Sequence, residues 1–251
     1  MDEHPLPERA RRVAPRAIAA VLAALACAGG AYYWQDIHGR PPTASPDTVG
    51  VAPVKARVAP ADFGSAVPSA DTRRVADWVM ASGDHGKRPF ALVDKARAML
   101  YVFAPTGHLI GASPVLLGLA RGDDSEPGIG DKPIGAIRPE ERTTPAGRFA
   151  TEPGKNLGGD NVIWVDYDAA VSMHSVRATV ASERRLQRLD SPDPAEHRIS
   201  YGCINVPAAF YASVAWPSFA DGGGIVYVLP EARPLADVFP ALRTSPSSPA
   251  G

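Results

Sequence analysis

The stretch Phe90–Gly118, FALVDKARAMLYVFAPTGHLIGASPVLLG, decides the fold class. Its apolar runs at 90–93, 98–104, 108–112 and 114–119 have strand length, and Pro105-Thr106-Gly107 has the residue types of a tight turn. Further strand-like runs follow at 161–168, 170–176 and 224–230. We predict helices at 69–83, capped by Ser69 or Asp71, and at 207–216, capped by Asn205. The pattern predicts a β-rich α+β domain with few short helices.

Composition divides the chain into five segments. Residues 17–34 carry no charge and are long enough to cross a bilayer, whereas residues 35–68 and 231–251 are rich in proline and lack a sustained apolar period. We therefore predict, in chain order, a cytoplasmic basic segment (1–16), a transmembrane anchor or signal segment (17–34), a Pro-rich linker (35–68), a folded domain (69–230) and a Pro/Ser-rich tail (231–251).

The flanks of residues 17–34 predict the orientation of this segment. Four arginines precede it, and it ends in Tyr32, Tyr33 and Trp34, which suit a membrane interface. We expect a single-pass inner-membrane anchor with the domain in the periplasm. Secretion after signal cleavage is the alternative, because the run is short and rich in alanine. Lipidation of Cys27 stays open.

Charge excludes one class of partner. The chain has 26 Lys and Arg residues against 27 Asp and Glu residues, for a net charge of −1. No basic excess exists to neutralise phosphates, so we expect no nucleic-acid partner. The trio Arg184, Arg185 and Arg188 is interpreted as a solvated helix face.

Cys203 is the one cysteine of the predicted exported part, since the other is Cys27. An exported cysteine without a partner indicates an intermolecular bridge, a reactive thiol or an inert buried residue. A reactive thiol needs a base within reach. Of the six histidines, His174 alone lies in an apolar strand, AVSMHSV (170–176). From these residues alone, His174 is either that base or a satisfied core residue.

Four stretches, taken in order, resemble one family. RISYGCIN (198–205) resembles the signature of the L,D-transpeptidase catalytic domain, in which a Ser/Thr-His-Gly-Cys segment follows an upstream histidine. The strands between 91 and 118 resemble the opening strands of that family, TTPAGRF (143–149) its Thr-Pro-x-Gly-x-Phe segment, and MHSV (173–176) its strand-borne histidine. The resemblance covers roughly 88–229 and implies a mixed β-sheet catalytic domain that acts on peptidoglycan stem peptides.

The resemblance also implies roles for particular residues. Cys203 matches the nucleophile, His174 the base, and Ser175 the residue whose carbonyl orients the imidazole. The oxyanion and substrate site is implied at Gly202, Tyr201, Ser200 and Asn205. In the family's reaction the cysteine displaces D-Ala from a tetrapeptide stem and passes the acyl group from a thioester to an amine or to water. We expect no cofactor and no metal, since no zinc-peptidase spacing occurs. The sequence does not identify the amine acceptor.

The sequence departs from the family pattern at two places. Tyr201 stands where the family has a histidine, and the interval from His174 to Cys203 is longer than usual. The excess, ASERRLQRLDSPDPAEHR (181–198), is predicted to form a short helix and a lid over the cleft. Two alternatives therefore stay open: a catalytically silent peptidoglycan-binding or scaffold module of the same fold, and an L,D-carboxypeptidase or amide hydrolase that uses the same cysteine.

Overall fold

The computed structural model describes residues 59–243. The predicted anchor at 17–34 lies outside this range, as do the basic segment, most of the linker and the end of the tail. No helix between 59 and 243 has the length and apolar character needed to cross a membrane.

The described chain is built mainly from short strands. The helices are short except for α1: α1 (Ala70–Ser82), α2 (Arg185–Leu189), α3 (Ala208–Phe210), α4 (Trp216–Phe219) and α5 (Leu235–Val238). The strands are β1 (Phe90–Asp94), β2 (Met99–Phe103), β3 (Leu109–Pro114), β4 (Leu117–Gly118), β5 (Gly147–Ala150), β6 (Glu152–Lys155), β7 (Asn161–Asp166), β8 (Val171–Ser175), β9 (Arg198–Ser200), β10 (Ile204–Val206) and β11 (Ile225–Val228). The predicted β-rich α+β class with mixed sheets and few short helices is confirmed.

The central strands of the first sheet, β1, β2 and β11, are buried on both faces. Its strand order is β3-β2-β1-β11-β5, with β1 and β11 parallel and the other pairs antiparallel. Because side chains alternate along a strand, Ala91 and Val93 enter one hydrophobic cluster while Phe90 and Leu92 enter another. The second cluster includes the inner face of α1, which begins at the Ser69 cap and ends at Gly83, as predicted.

One face of the second sheet packs on the hydrophobic core. The strand order of this sheet is β10-β8-β7-β6, with β10 and β8 parallel. Val171 and Met173 of β8 join the cluster that also contains Ala91 and Val93, so the two sheets share this core. The alternate residues of β8 face away from that cluster, and this face carries the candidate site.

The folded unit extends beyond the predicted limits of 69–230. Phe63 is buried, at 3% exposure, against the rings of Tyr101 and Phe103. At the other end, Phe239 and Leu242 are buried in the same cluster. Composition suggested a linker and a tail because prolines interrupt both segments, but single large apolar residues between the prolines pack into the core.

The predicted helix at 207–216 begins differently from the expectation. Asn205 is not its cap, because Asn205 belongs to strand β10 and Pro207 precedes the first helical turn. The helical run continues through one π-helical segment, Tyr211–Ala215, into α4. Asn205 is thereby held on the sheet beside β8.

Candidate active site

Two neighbouring strands present the polar side chains of the site. Ser172 and His174 alternate along β8 with the core residues Val171 and Met173. On β10, Asn205 lies in register with His174. The alternation along β8 therefore places Ser172 and His174 on the face of the sheet away from the core. The register of β10 places Asn205 on the same face.

The loop that carries Cys203 is fixed from both sides. Gly202 has φ of +127°, and a β-carbon on it would lie 2.9 Å from the carbonyl oxygen of Thr143, so only glycine fits without strain. Oγ1 of Thr144 donates to the Gly202 carbonyl (2.8 Å). Oγ of Ser200 accepts from the Gly202 N–H (3.2 Å) and donates to the Cys203 carbonyl (2.6 Å). These bonds set the direction of the thiol.

The thiol of Cys203 is a free, half-buried group. Its Sγ accepts a hydrogen bond from the backbone N–H of Ser172 (3.5 Å) and lies 3.7 Å from Oγ of Ser172. The carbonyl of Ala170 is 3.8 Å away. Amide and hydroxyl donors at sulfur favour the thiolate, because they stabilise negative charge there.

His174 has a defined tautomer. Nδ1 lies 2.9 Å from the carbonyl oxygen of Ser175, and a carbonyl can only accept, so Nδ1 carries the proton. Nε2 lies 3.1 Å from Nδ2 of Asn205. Arg185 donates to Oδ1 of Asn205, which fixes the amide with its nitrogen toward the imidazole. Nδ2–H of Asn205 therefore donates to the lone pair of neutral His174.

The pKa values of the two reactive groups move toward an ion pair. Burial raises the pKa of Cys203, but hydrogen bonding and charge from His174, with the Ser172 bonds, outweigh it and hold this pKa below its ordinary value. Burial lowers the pKa of His174, and Arg185 lowers it further. The interactions with Cys203 and the Ser175 carbonyl outweigh both and raise it overall. Both shifts are in the direction of a thiolate–imidazolium pair.

Tyr201 is paired with an arginine. The guanidinium carbon of Arg142 lies 3.9 Å from the centre of the Tyr201 ring, a cation–π distance. Both side chains are half-buried. The position at which the family has a histidine is therefore next to a permanent positive charge.

The structure places the seven predicted residues in one region, with different tasks. Hydrogen bonds link His174 with Ser175 and Asn205, Cys203 bonds to Ser172 on the strand of His174, and Tyr201 lies on the loop of Cys203. Ser200 and Gly202 bond to each other within the loop. The Gly202 N–H is thus engaged by Ser200, and its predicted oxyanion role requires that this bond open. The Cys203 N–H remains the other predicted oxyanion donor.

Four residues of the site were not singled out from the sequence. Ser172 could have been found from its spacing of two from His174, and Thr144 lies within the TTPAGRF motif. Arg142 and Arg185 gave no usable signal. The prediction of a solvated face for Arg184, Arg185 and Arg188 is wrong for Arg185, whose side chain is only 12% exposed and contacts Glu183 and Asn205.

The site combines a thiol, an imidazole oriented by a carbonyl, and nearby backbone amides, which are groups that nucleophilic cysteine chemistry uses. Within the part of the chain that the structure describes, no three His, Cys, Asp or Glu side chains converge as a metal site.

Comparison with solved structures matches L,D-transpeptidase domains, the family that the sequence resembles. The domain from Xylanimonas cellulosilytica is 15% identical, with 56% of this chain and 60% of that chain covered and a TM-score of 0.34. The catalytic domain from E. faecium is 18% identical over 57% of this chain and 98% of that chain, with a TM-score of 0.33. The Stackebrandtia nassauensis enzyme is 18% identical over 66% and 68%, with a TM-score of 0.36.

No protein-family model matches the sequence, and no curated protein matches it. The chain covers 60% or less of several of the matched structures. At these identities and TM-scores, a function has to be argued from the residues of this chain.

Proposed function

We propose that this protein is a cysteine acyltransferase of the L,D-transpeptidase type that acts on tetrapeptide stems of peptidoglycan. The observation that carries the proposal is the site itself: the Cys203 sulfur accepts from an amide of β8, the strand that also carries His174, and the His174 imidazole, oriented by the Ser175 carbonyl, interacts with the thiol. The family motifs in the sequence supply the substrate class.

The reaction proceeds through a thioester. His174 holds the thiol proton, and the Cys203 thiolate attacks the carbonyl between the L-centre of the diamino acid and D-Ala. The S–C bond forms, negative charge develops on the carbonyl oxygen, and backbone N–H groups of the 201–203 loop stabilise it. Collapse breaks the C–N bond, and His174 returns the proton to the departing amine of D-Ala. An amine acceptor then attacks the thioester and regenerates the thiol.

Tyr201 is compatible with this reaction. One imidazole suffices to activate one thiol, and His174 provides it. A tyrosine hydroxyl can donate a hydrogen bond near the acyl group, and the charge that a histidine would carry is present on Arg142, stacked on the ring. The silent-module alternative is disfavoured because a decayed site has no reason to keep Cys203, His174 and the Ser175 contact together.

Release of D-Ala from a purified tetrapeptide stem tests the proposal. We expect D-Ala release by the wild type and none by Cys203→Ala. We also expect a carbapenem to add its mass to the peptide that contains Cys203. Transfer to an added amine distinguishes a transpeptidase from a hydrolase. No release by the wild type together with no adduct on Cys203 would favour the silent module.

We also propose that the domain is exported and held by an uncleaved segment at 17–34. The support is compositional: an uncharged run preceded by four arginines and followed by aromatic residues. We expect the protein in the membrane fraction after carbonate extraction, with its N-terminal residues retained. A soluble form that begins after Ala26 or Ala28 would indicate a cleaved signal instead.

A further inference from the structure

We propose that Arg142, stacked on Tyr201, binds a carboxylate of the acyl-donor substrate and so sets the specificity of the site. The inference deepens the proposed function by naming the chemical group that the donor must carry. Its physical basis, a directed cation beside Cys203, also stands without that function.

Arg142 lies next to the nucleophile loop. The two residues that follow it pack on Gly202: the Thr143 carbonyl lies against its α-carbon and Thr144 donates to its carbonyl. The guanidinium itself stacks on Tyr201, two positions before Cys203. The charge is therefore held beside the loop that carries Cys203.

The guanidinium is fixed in orientation but not neutralised. Its Nε and Nη2 both donate to one neutral acceptor, the Ile137 carbonyl (3.3 and 3.0 Å). These two bonds use two of the five N–H groups of an arginine. Between residues 59 and 243 no carboxylate lies within ion-pair distance of Arg142, and the side chain is half-buried.

The neighbouring charges leave the site positive. The pKa of Glu183 is lowered, first by its hydrogen bond from Arg185 and then, against the effect of burial, by the charges of Arg185, Arg188 and Arg142. Glu183 contacts Arg185 at 2.6 Å and is thereby occupied. The single negative charge of Glu183 thus lies near three positive guanidinium groups, those of Arg185, Arg188 and Arg142. Of these, Arg142 stacks on Tyr201 in the loop of Cys203.

A planar guanidinium held by stacking and by one carbonyl is well suited to a carboxylate. Its remaining N–H groups can form charge-assisted bonds, and stacking fixes the plane in which they point. A tetrapeptide stem offers two such groups: the C-terminal carboxylate of D-Ala and the carboxylate on the side chain of the diamino acid. Amidation at one position or the other distinguishes these two sources.

The first test does not depend on catalysis. Iodoacetate and iodoacetamide alkylate Cys203 through the same step, in which an S–C bond forms and iodide leaves, but only iodoacetate carries a carboxylate. We expect the iodoacetate-to-iodoacetamide rate ratio at Cys203 to fall about fivefold in Arg142→Gln, as expected for losing one nearby charge in a partly exposed site. Peptide-resolved mass spectrometry of the full chain separates Cys203 from Cys27.

Two variants control this measurement. Arg138→Gln removes an arginine of the same loop that is 64% exposed and already paired with Glu140 and Glu141, so the ratio should not change. Arg142→Lys keeps the charge and should restore part of the ratio. An unchanged ratio in Arg142→Gln, or an equal fall in Arg138→Gln, would overturn the proposal.

The second test uses stem peptides. We expect Arg142→Gln to raise KM for the unmodified stem about tenfold with a smaller effect on kcat. Amidation of the carboxylate that binds Arg142 should raise the KM of the wild type by the same factor of about ten. The same amidation should cause no further increase in the KM of Arg142→Gln. If neither amidation does so, the proposal fails. If no stem is turned over but the alkylation ratio still falls, the proposed function fails and the carboxylate site stands.

Discussion

At the scale of single residues, reactivity depends on the balance between burial and charge at Cys203. Burial alone would keep the thiol protonated, but His174 and the Ser172 donors reverse that effect. The reversal is local, because every group responsible lies on β8. A single substitution on that strand should therefore change the thiol without altering the core beneath it.

His174→Gln should shift the pH profile of Cys203 alkylation to higher pH. The variant keeps the burial that raises the thiol pKa and loses the imidazole that lowers it. Alkylation needs the thiolate, so the rate near pH 6 should fall by about tenfold for each unit of upward shift. The measurement is iodoacetamide labelling of Cys203 across pH. Superimposable profiles would remove His174 from its role as thiolate partner.

Substitutions at Tyr201 distinguish the effect of ring stacking on Arg142 from the effect of a hydrogen bond from the hydroxyl. Tyr201→Phe keeps the ring beneath Arg142 and loses the hydroxyl, so we expect slower but measurable D-Ala release, by up to about 10²–10³ if the hydroxyl acts as an oxyanion-type donor. Tyr201→His restores the family residue and should be at least as active as the wild type. D-Ala release measures both. Activity in Tyr201→His with none in the wild type would indicate that this chain is a silent module.

At the scale of elements, the segment 181–198 brings a charge to the site. Helix α2 begins with Arg185, which donates to Asn205 and so presents Nδ2–H to His174. This geometry suits a neutral imidazole. When Nε2 gains the thiol proton, two N–H donors face each other and the Asn205 amide has to turn. The segment was predicted as a lid, and its contact with Asn205 gives it an electrostatic effect on the base.

Arg185→Met should raise the pKa of His174 further. The variant removes a charge that lowers this pKa and frees Asn205 to rotate. The imidazolium is then favoured, so the alkylation profile of Cys203 should move to lower pH, with a rate near pH 6 about threefold to tenfold higher. Arg184→Met is the matched control, because Arg184 is exposed. A profile that does not move, or moves to higher pH, would contradict this role.

The strands were readable from local patterns and the reactive pair from the family motifs, whereas the second layer of the site was not. AVSMHSV by itself left His174 as either a base or a core residue, and the resemblance of MHSV and RISYGCIN to the family motifs assigned His174 and Cys203. Arg142 and Arg185 look like ordinary surface residues, because the direction of a long side chain depends on its tertiary neighbours. Asn205 was misassigned as a helix cap because the strand before Pro207 is only three residues long.

At the scale of the whole molecule, buried charges attach the C-terminal segment to the domain. Lys95 is fully buried and donates to Asp123 (2.8 Å) and to the Thr144 carbonyl (2.9 Å). Asp123 also accepts from the backbone N–H groups of 231–233. Since Thr144 holds Gly202, this cluster connects the C-terminal segment with the loop of the nucleophile.

Asp123→Ala should lower the free energy of unfolding by about 3–5 kcal/mol near pH 7, because it leaves the buried Lys95 without its closest carboxylate. Burial alone would raise the pKa of Asp123, but the bonds from Lys95 and the backbone lower it to about 2. Its contribution is therefore complete above the unfolded value of about 3.9 and is lost as pH falls toward 2. Urea unfolding near pH 7 and near pH 3 should show a smaller difference at the lower pH. Equal differences would contradict the linkage.

Phe63 tests the extended limits of the domain. Phe63→Ala should cost about 3–5 kcal/mol, because the ring is buried against Tyr101 and Phe103. Val67→Ala, at a position 83% exposed in the same segment, should change stability by no more than about 0.5 kcal/mol. Urea unfolding compares the two variants. A similarly small loss of stability in both variants would indicate that the residues before 69 belong to the linker and not to the folded domain.

The position of β11 has a consequence for the timing of folding. This strand is the last of the strands between residues 59 and 243, yet it lies between β1 and β5 and bonds to both. The pairing of β1 with β11, for example of Phe90 with Ile225, therefore joins residues from distant parts of the chain, and the first sheet is complete only after it has formed. Such long-range pairing slows folding. During synthesis β1 and its other neighbour β2 leave the ribosome well before β11, so the first sheet remains incomplete until almost the whole domain has been made.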